Sequence, residues 1–418
     1  GLVIWVWLWL VACQGQTPAR LPADSPTDGC LTCHTGIEEI SPSHRFSCVA
    51  CHGGDRLALD EETAHSGLRG GRNPSDFSVV EASCGGCHNG PAEERRDHIH
   101  RVLTSLQATY AGAIAQVGFA FGTQPDLTAR QGMVAVADPH VSTDTGVAAL
   151  TLFQPGPAAP RPLQTFAANC LTCHVGGQPQ VRPYYYRATG CAACHVVYEN
   201  DGLYRGNDPT IDKTEPGHGR EHRFTTAIPY YQCNHCHNRG NYSLAQMHFL
   251  ERTDLANPAG FPKPTGFRLK EYYQPIAQFT LCEWKLDCVD CHTNQQVMGD
   301  GDIHSGKAET PNTQCKTCHG TLAEMPSLTR VDRPDHPAVR SAALNPNYLV
   351  TVGDVIVQSD TGDPFGWVQW DGQKLIQTAK ITGQVYEIPL VMGSACQQRP
   401  EEQESRYCHE CHAMNNEQ

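Results

Sequence analysis

The chain has little of what fills an ordinary enzyme core. Apolar residues make up 39 % of its 418 positions, aromatic residues 8 %, and there are only six methionines. No run of about 20 apolar residues occurs, which excludes a polytopic membrane protein. The 38 glycines and 29 prolines interrupt any long regular element, so the chain reads as loop-rich. Basic residues are also scarce. Thirty-one Lys and Arg against 44 Asp and Glu give a formal charge of −13, which argues against nucleic acid as a partner and for basic partners or cationic oxidants. Two residue types are abundant instead, with 21 cysteines and 21 histidines. A disordered chain would not carry them.

The cysteines fall into a repeated string, Cys-x-x-Cys-His. It occurs at Cys30, Cys33 and His34; Cys48, Cys51 and His52; Cys84, Cys87 and His88; Cys170, Cys173 and His174; and Cys191, Cys194 and His195. It recurs at Cys233, Cys236 and His237; Cys288, Cys291 and His292; Cys315, Cys318 and His319; and Cys408, Cys411 and His412. Residue frequencies alone would supply about 0.05 such strings in the chain. Two thiols at this spacing reach the two vinyl groups of one haem as thioethers, and the adjacent histidine falls under the iron as its proximal ligand. Zinc knuckles, thioredoxin-type dithiols and plain disulfides use paired cysteines too, but leave the trailing histidine unexplained.

On these nine strings, residues 30–412 resemble the multihaem c-type cytochromes. The resemblance implies nine covalently bound haem c groups and an extracytoplasmic chain, periplasmic or at the cell surface. The fold it implies is loop-rich, mainly short α-helices wrapped around a haem chain, with a small antiparallel β insertion. At about 46 residues per haem, porphyrin takes the place of the missing aliphatic core.

Three cysteines lie outside the strings. Cys282 and Cys396 each precede a string by six and twelve residues and are expected to form a disulfide, which persists in an oxidising compartment. Residues 1–12 are wholly apolar and fit the core of a secretory signal. Leu10-Val11-Ala12-Cys13 resembles a bacterial lipoprotein processing box, with Cys13 as the acylated residue and a lipid anchor as the membrane contact. Ordinary cleavage nearby, or retention of the segment as an anchor or packing helix, are the alternatives.

The strings group in threes. First-to-second offsets are 18, 21 and 27 residues, second-to-third offsets 36, 42 and 93, and Cys-Leu-Thr-Cys-His stands at both 30 and 170. We therefore read residues 1–13 as the signal and lipobox segment, 14–29 as a flexible leader, and 30–100 as a first trihaem module. A haem-free helical insertion follows at 101–169, then a second module at 170–250 and a linker at 251–281. The third module comprises 282–345 and 392–418, around a β-meander insertion at 346–391. Ile99, Val102, Leu103, Leu106, Tyr110, Ala113, Ile114 and Val117 have the spacing of one amphipathic helix, ended by Gly122 and Pro125. Val350, Val352, Val355, Val357, Trp367, Val368, Trp370, Ile381, Val385 and Ile388 alternate as strands, with turns at Asp371-Gly372 and Thr382-Gly383. The meander is expected to cap the last haem.

Ten histidines outside the strings are distal-ligand candidates for nine irons: His44, His65, His98, His100, His140, His218, His222, His248, His304 and His336. With six methionines as the only competing soft ligands, low-potential bis-histidine sites are expected. No histidine lies between Cys173 and Cys191, where Tyr184, Tyr185 and Tyr186 stand, so this is where an open iron is expected if there is one. The leading expectation is an electron-transfer protein rather than a catalyst, working with redox-partner proteins or external electron acceptors in respiratory or extracellular electron transfer. One alternative is a subunit of a polymeric extracellular cytochrome filament, a homo-polymer. The other is a reductase of nitrite, hydroxylamine or sulfur oxyanions, which needs an open iron.

Overall fold

The computed structural model describes residues 28–137, 147–171, 174–179, 185–237, 285–399 and 401–412. It also describes residues 21, 181, 183 and 282 and the strand residues 249–251 and 273–275. Cys13, His140, Cys173, Tyr184 and His248, and with them the signal segment and nearly all of the leader, lie outside the described residues.

The cysteine strings organise the helices. Residues i and i+3 share a helix face, so a single turn aims both thiols to one side. Eight of the nine strings sit on such short helices: α1 (Cys30–Cys33), α2 (Cys48–His52), α4 (Val80–His88), α9 (Ala192–His195), α10 (Tyr230–His237), α11 (Cys288–Cys291), α13 (Cys315–His319) and α15 (Ser405–His412). The second strings of the first and third modules end alike. His52 and His319 are each followed by a glycine at positive φ, Gly53 at 72° and Gly320 at 67°, whose N–H closes the helix onto Val49 O and Lys316 O. A side chain at Gly320 would also strike the backbone carbonyl of Glu324, at 2.5 Å. Short α3 (Glu61–Ala64) precedes His65, with Asp60 accepting from Thr63 N at its start.

The helix expected over 99–117 is broken into three pieces, α5 (His98–Thr104), α6 (Leu106–Thr109) and α7 (Ala111–Ala120). Ser105 leaves helical geometry and its hydroxyl caps α6 by accepting from Ala108 N, while Tyr110 adopts the left-handed region at φ 53°. Periodicity alone does not reveal either break, because both residues keep the apolar register. The end at Gly122, φ 71°, is where it was expected. The insertion also contains a small sheet in the order β1 (Gln131–Gly132), β3 (Ala149–Leu152), β2 (Val136–Ala137), and then α8 (Arg161–Asn169). Ile114, Phe153, Leu163 and Leu171 form one cluster here, and Ala111, Ala129, Val147, Leu150 and Ile303 another. Through them the insertion packs on the fourth string and on the third module.

Within the expected linker, β4 (Phe249–Glu251) pairs antiparallel with β5 (Tyr273–Pro275). The meander is a five-stranded antiparallel sheet in sequential order: β6 (Leu328–Arg330), β7 (Val355–Gln358), β8 (Pro364–Trp370), β9 (Leu375–Thr378) and β10 (Val385–Ile388). The turns at Gly372 and Gly383 have positive φ, as expected. Its first strand lies before residue 346, while Val350 and Val352 are outside the strands. Helix α12 (Asn294–Met298) follows the seventh string, and α14 (Pro337–Ala342) lies across the sheet. Val331, Ala338, Ile356, Val357, Phe365, Trp367, Val368 and Leu375 form the largest aliphatic and aromatic cluster, with Cys318 packed against it. The sheet packs on the seventh string through Trp367 and on the eighth through Pro389 and Cys318. Among the described residues no helix is long and apolar enough to cross a membrane.

Candidate functional site

The strings lie next to one another in space. The Cys30 thiol neighbours that of Cys48, Cys51 neighbours Cys84 and Cys87, and Cys84 neighbours Cys191. Cys233 touches Cys288 and neighbours Cys194, and His237 neighbours His292. The first, second, third, fifth, sixth and seventh strings thus follow in a continuous run. The eighth and ninth meet through Cys315 and Cys408. Burial, with neighbouring thiols and Asp28, pushes Cys48 up to about 11; burial pushes Cys191 and Cys318 up to about 12. Thiols held protonated in this way are poor thiolate nucleophiles.

No disulfide joins Cys282 to Cys396. Cys282 neighbours Cys318 in the eighth string, and Cys396 neighbours Cys408 in the ninth.

The histidines form pairs. Ring centres of His34 and His65 are 6.2 Å apart, those of His52 and His222 6.0 Å, and those of His44 and His88 6.0 Å with the rings nearly parallel at 8°. A metal–nitrogen bond of about 2.0 Å and about 1.1 Å from nitrogen to ring centre put two imidazoles about 6.2 Å apart across one metal in line; a tetrahedral zinc would bring them to about 5 Å. The pairs fit the axial positions of a haem iron. His98 lies 5.6 Å from His88, tilted by 58°, and also neighbours His195. Among the described residues no three or more His, Cys, Asp or Glu side chains gather into a cluster that could hold a bare metal ion.

The other ring nitrogen is frequently anchored, as metal-ligating imidazoles require. His34 Nδ1 lies 2.7 Å from Asp208 Oδ2. Nδ1–H of His195 points at Thr225 O at 2.9 Å, that of His319 at Pro389 O at 2.7 Å, and that of His222 at Glu38 O at 2.9 Å. His44 Nδ1 meets Ser41 Oγ at 2.6 Å. Burial lowers His52, His98 and His174 to about 4 and keeps them neutral, the form that ligates.

Three candidates are placed otherwise. His304 gives Nε2 to Asp300, 2.9 and 3.0 Å from its two oxygens, and although burial opposes it the carboxylate holds the His304 pKa above its ordinary value. His100 Nε2 donates to Gly301 O at 3.0 Å. His336 Nδ1 accepts from Ala338 N at the start of α14, which leaves its proton on Nε2. As they stand, none of the three offers Nε2 to an iron, a correction to the expected list. His218 lies near Arg72, Glu215 and Asp212. His140 and His248 are outside the described residues. In the tyrosine segment Tyr186 is buried, and Arg187 donates to His174 O at 3.2 Å and Gly177 O at 2.8 Å, closing the fourth string.

Several site residues lay beyond sequence reasoning. A segment of the second module, 199–225, folds over the first two strings and delivers Asp208 and His222. Glu38 secures it, with Oε1 accepting from Asn207 N at 2.7 Å and Oε2 from the Tyr204 hydroxyl at 2.8 Å and His222 N at 3.2 Å. Ser75 holds the fifth string, its hydroxyl accepting from Ala192 N at 2.9 Å. Asp290, within the seventh string, accepts from Lys380 N at 2.7 Å and Asp287 N at 2.8 Å, and its carbonyl accepts from Trp367 Nε1 at 2.9 Å. The Lys380 ammonium lies 3.1 Å from the centre of the Trp367 ring and donates to Val289 O at 2.8 Å. Only Asp290 carried a signal, its place inside a string.

No family model, curated protein or solved structure matches the chain.

Proposed function

We propose that the chain is a nonahaem c-type cytochrome that passes electrons along closely spaced haems outside the cytoplasm. The observation that carries this reading is the contiguous run of strings, several with a second imidazole about 6 Å from the proximal one. The cysteines hold haem as thioethers, and the bound iron supplies the one-electron couple. The residues fix ligand orientation, spacing and water access. His34 pairs with His65, His52 with His222 and His88 with His44, which leaves His98 for its neighbour His195. Titrated coulometrically, the protein is expected to take up and return nine electrons per chain. Uptake of none, or of two per cysteine pair, would contradict the reading.

One observation favours a second activity. With His100, His304 and His336 engaged elsewhere, seven of the ten expected candidates remain for nine irons, which favours an iron open to a small oxyanion or nitrogenous substrate. Low-temperature EPR of the oxidised protein tests this: a substantial high-spin ferric signal supports it, and a purely low-spin spectrum removes it.

A further inference from the structure

The anchors on the proximal histidines differ in charge. His195 and His319 give Nδ1–H to backbone carbonyls, of Thr225 and Pro389. His34 instead faces a carboxylate, Asp208 Oδ2, at 2.7 Å. Asp208 is fully buried. Its other oxygen accepts from Thr210 N at 2.9 Å and Thr210 Oγ1 at 2.8 Å, and its own N–H is anchored by the Tyr204 hydroxyl at 3.1 Å. A buried carboxylate on Nδ1–H draws the proton away from the ring, makes Nε2 a stronger donor, and stabilises ferric over ferrous iron. A carbonyl does this less.

We infer that Asp208, acting through His34, lowers the potential of the first haem below that of the second and so sets the direction of flow between them. This rests on the haem reading above. Asp208 is a positioning residue. With haem bound, His34 would hold the first iron and His52 and His222 the second, and the two iron couples would supply the exchange of one electron between them. No proton and no further reactant enter the step. The device spans two modules, since Asp208 comes from the second and His34 from the first.

The experiment is a spectroelectrochemical titration of the intact protein and of Asp208→Asn, which keeps an acceptor for Nδ1–H but removes the charge. One of the nine one-electron waves is expected to move to higher potential, with the other eight in place. Thr210→Val, which removes the hydroxyl 3.0 Å from His34 Nδ1 and keeps the charge, is expected to leave that wave within half of the Asn shift. No movement in Asp208→Asn, or an equal movement in Thr210→Val, would overturn the inference. EPR of the unsubstituted ferric protein gives a readout that needs no variant: one low-spin signal with the narrowed g-spread of a histidinate-like ligand is expected, and its absence contradicts the role of Asp208. Absence of covalent haem in the unsubstituted protein would instead strike the underlying reading.

Discussion

A neutral imidazole offers a lone pair to a metal from one nitrogen only when the proton sits on the other. That rule separates the histidines here. His222 carries its proton on Nδ1, held by Glu38 O, which leaves its Nε2 lone pair free, and its ring centre lies 6.0 Å from that of His52. His304 and His336 have the reverse arrangement. His222→Ala is therefore expected to convert one low-spin iron to a high-spin or water-bound form, read as a new high-spin EPR signal. His336→Ala is expected to leave the spin-state spectrum unchanged and to cost about 1 kcal/mol of stability through the lost helix cap. A new high-spin signal in the His336 variant would restore that residue as a ligand. The residues proposed to attach haem are picked out by the sequence because cysteine and histidine spacing is local. The partners were not: Asp208 and His34 are 174 positions apart, and no pattern links them.

Among the elements, the sheet was the more legible. Alternation of Val355 and Val357 and the Asp371-Gly372 turn mark strands whose apolar side must be buried. The three-residue β6 and the α5–α6–α7 breaks escaped, because a short strand has no period and a capping serine does not disturb one. The sheet's role also shows only in space. It grips the seventh string through Trp367, Lys380 and Asp290, and the eighth through Pro389. Lys380→Met removes a buried amine from the Trp367 face together with its hydrogen bond to Val289 O, and is expected to destabilise the third module by about 1 kcal/mol or more, measured by denaturant unfolding. Gly320→Ala meets both the left-handed backbone and Glu324 O, and is expected to cost more than 1 kcal/mol by the same measure. An unchanged midpoint in either variant would contradict the packing described.

Across the whole molecule, the three aliphatic and aromatic clusters lie mainly in the two insertions, where the strings are absent. Along the strings the chain supplies short helices, anchored imidazoles and clustered cysteines, and in the proposed reading porphyrin would be the apolar material there. The aliphatic residues are thus concentrated away from the segments proposed to bind haem. The modules visible as a repeat are not separate bodies: His222 and Asp208 of the second complete sites in the first. Mass spectrometry of the denatured, unreduced chain tests the central claim most directly. The account predicts nine covalently attached haems and eighteen cysteines unavailable to thiol reagents. A chain at its bare polypeptide mass, with those cysteines free or paired as disulfides, would contradict it.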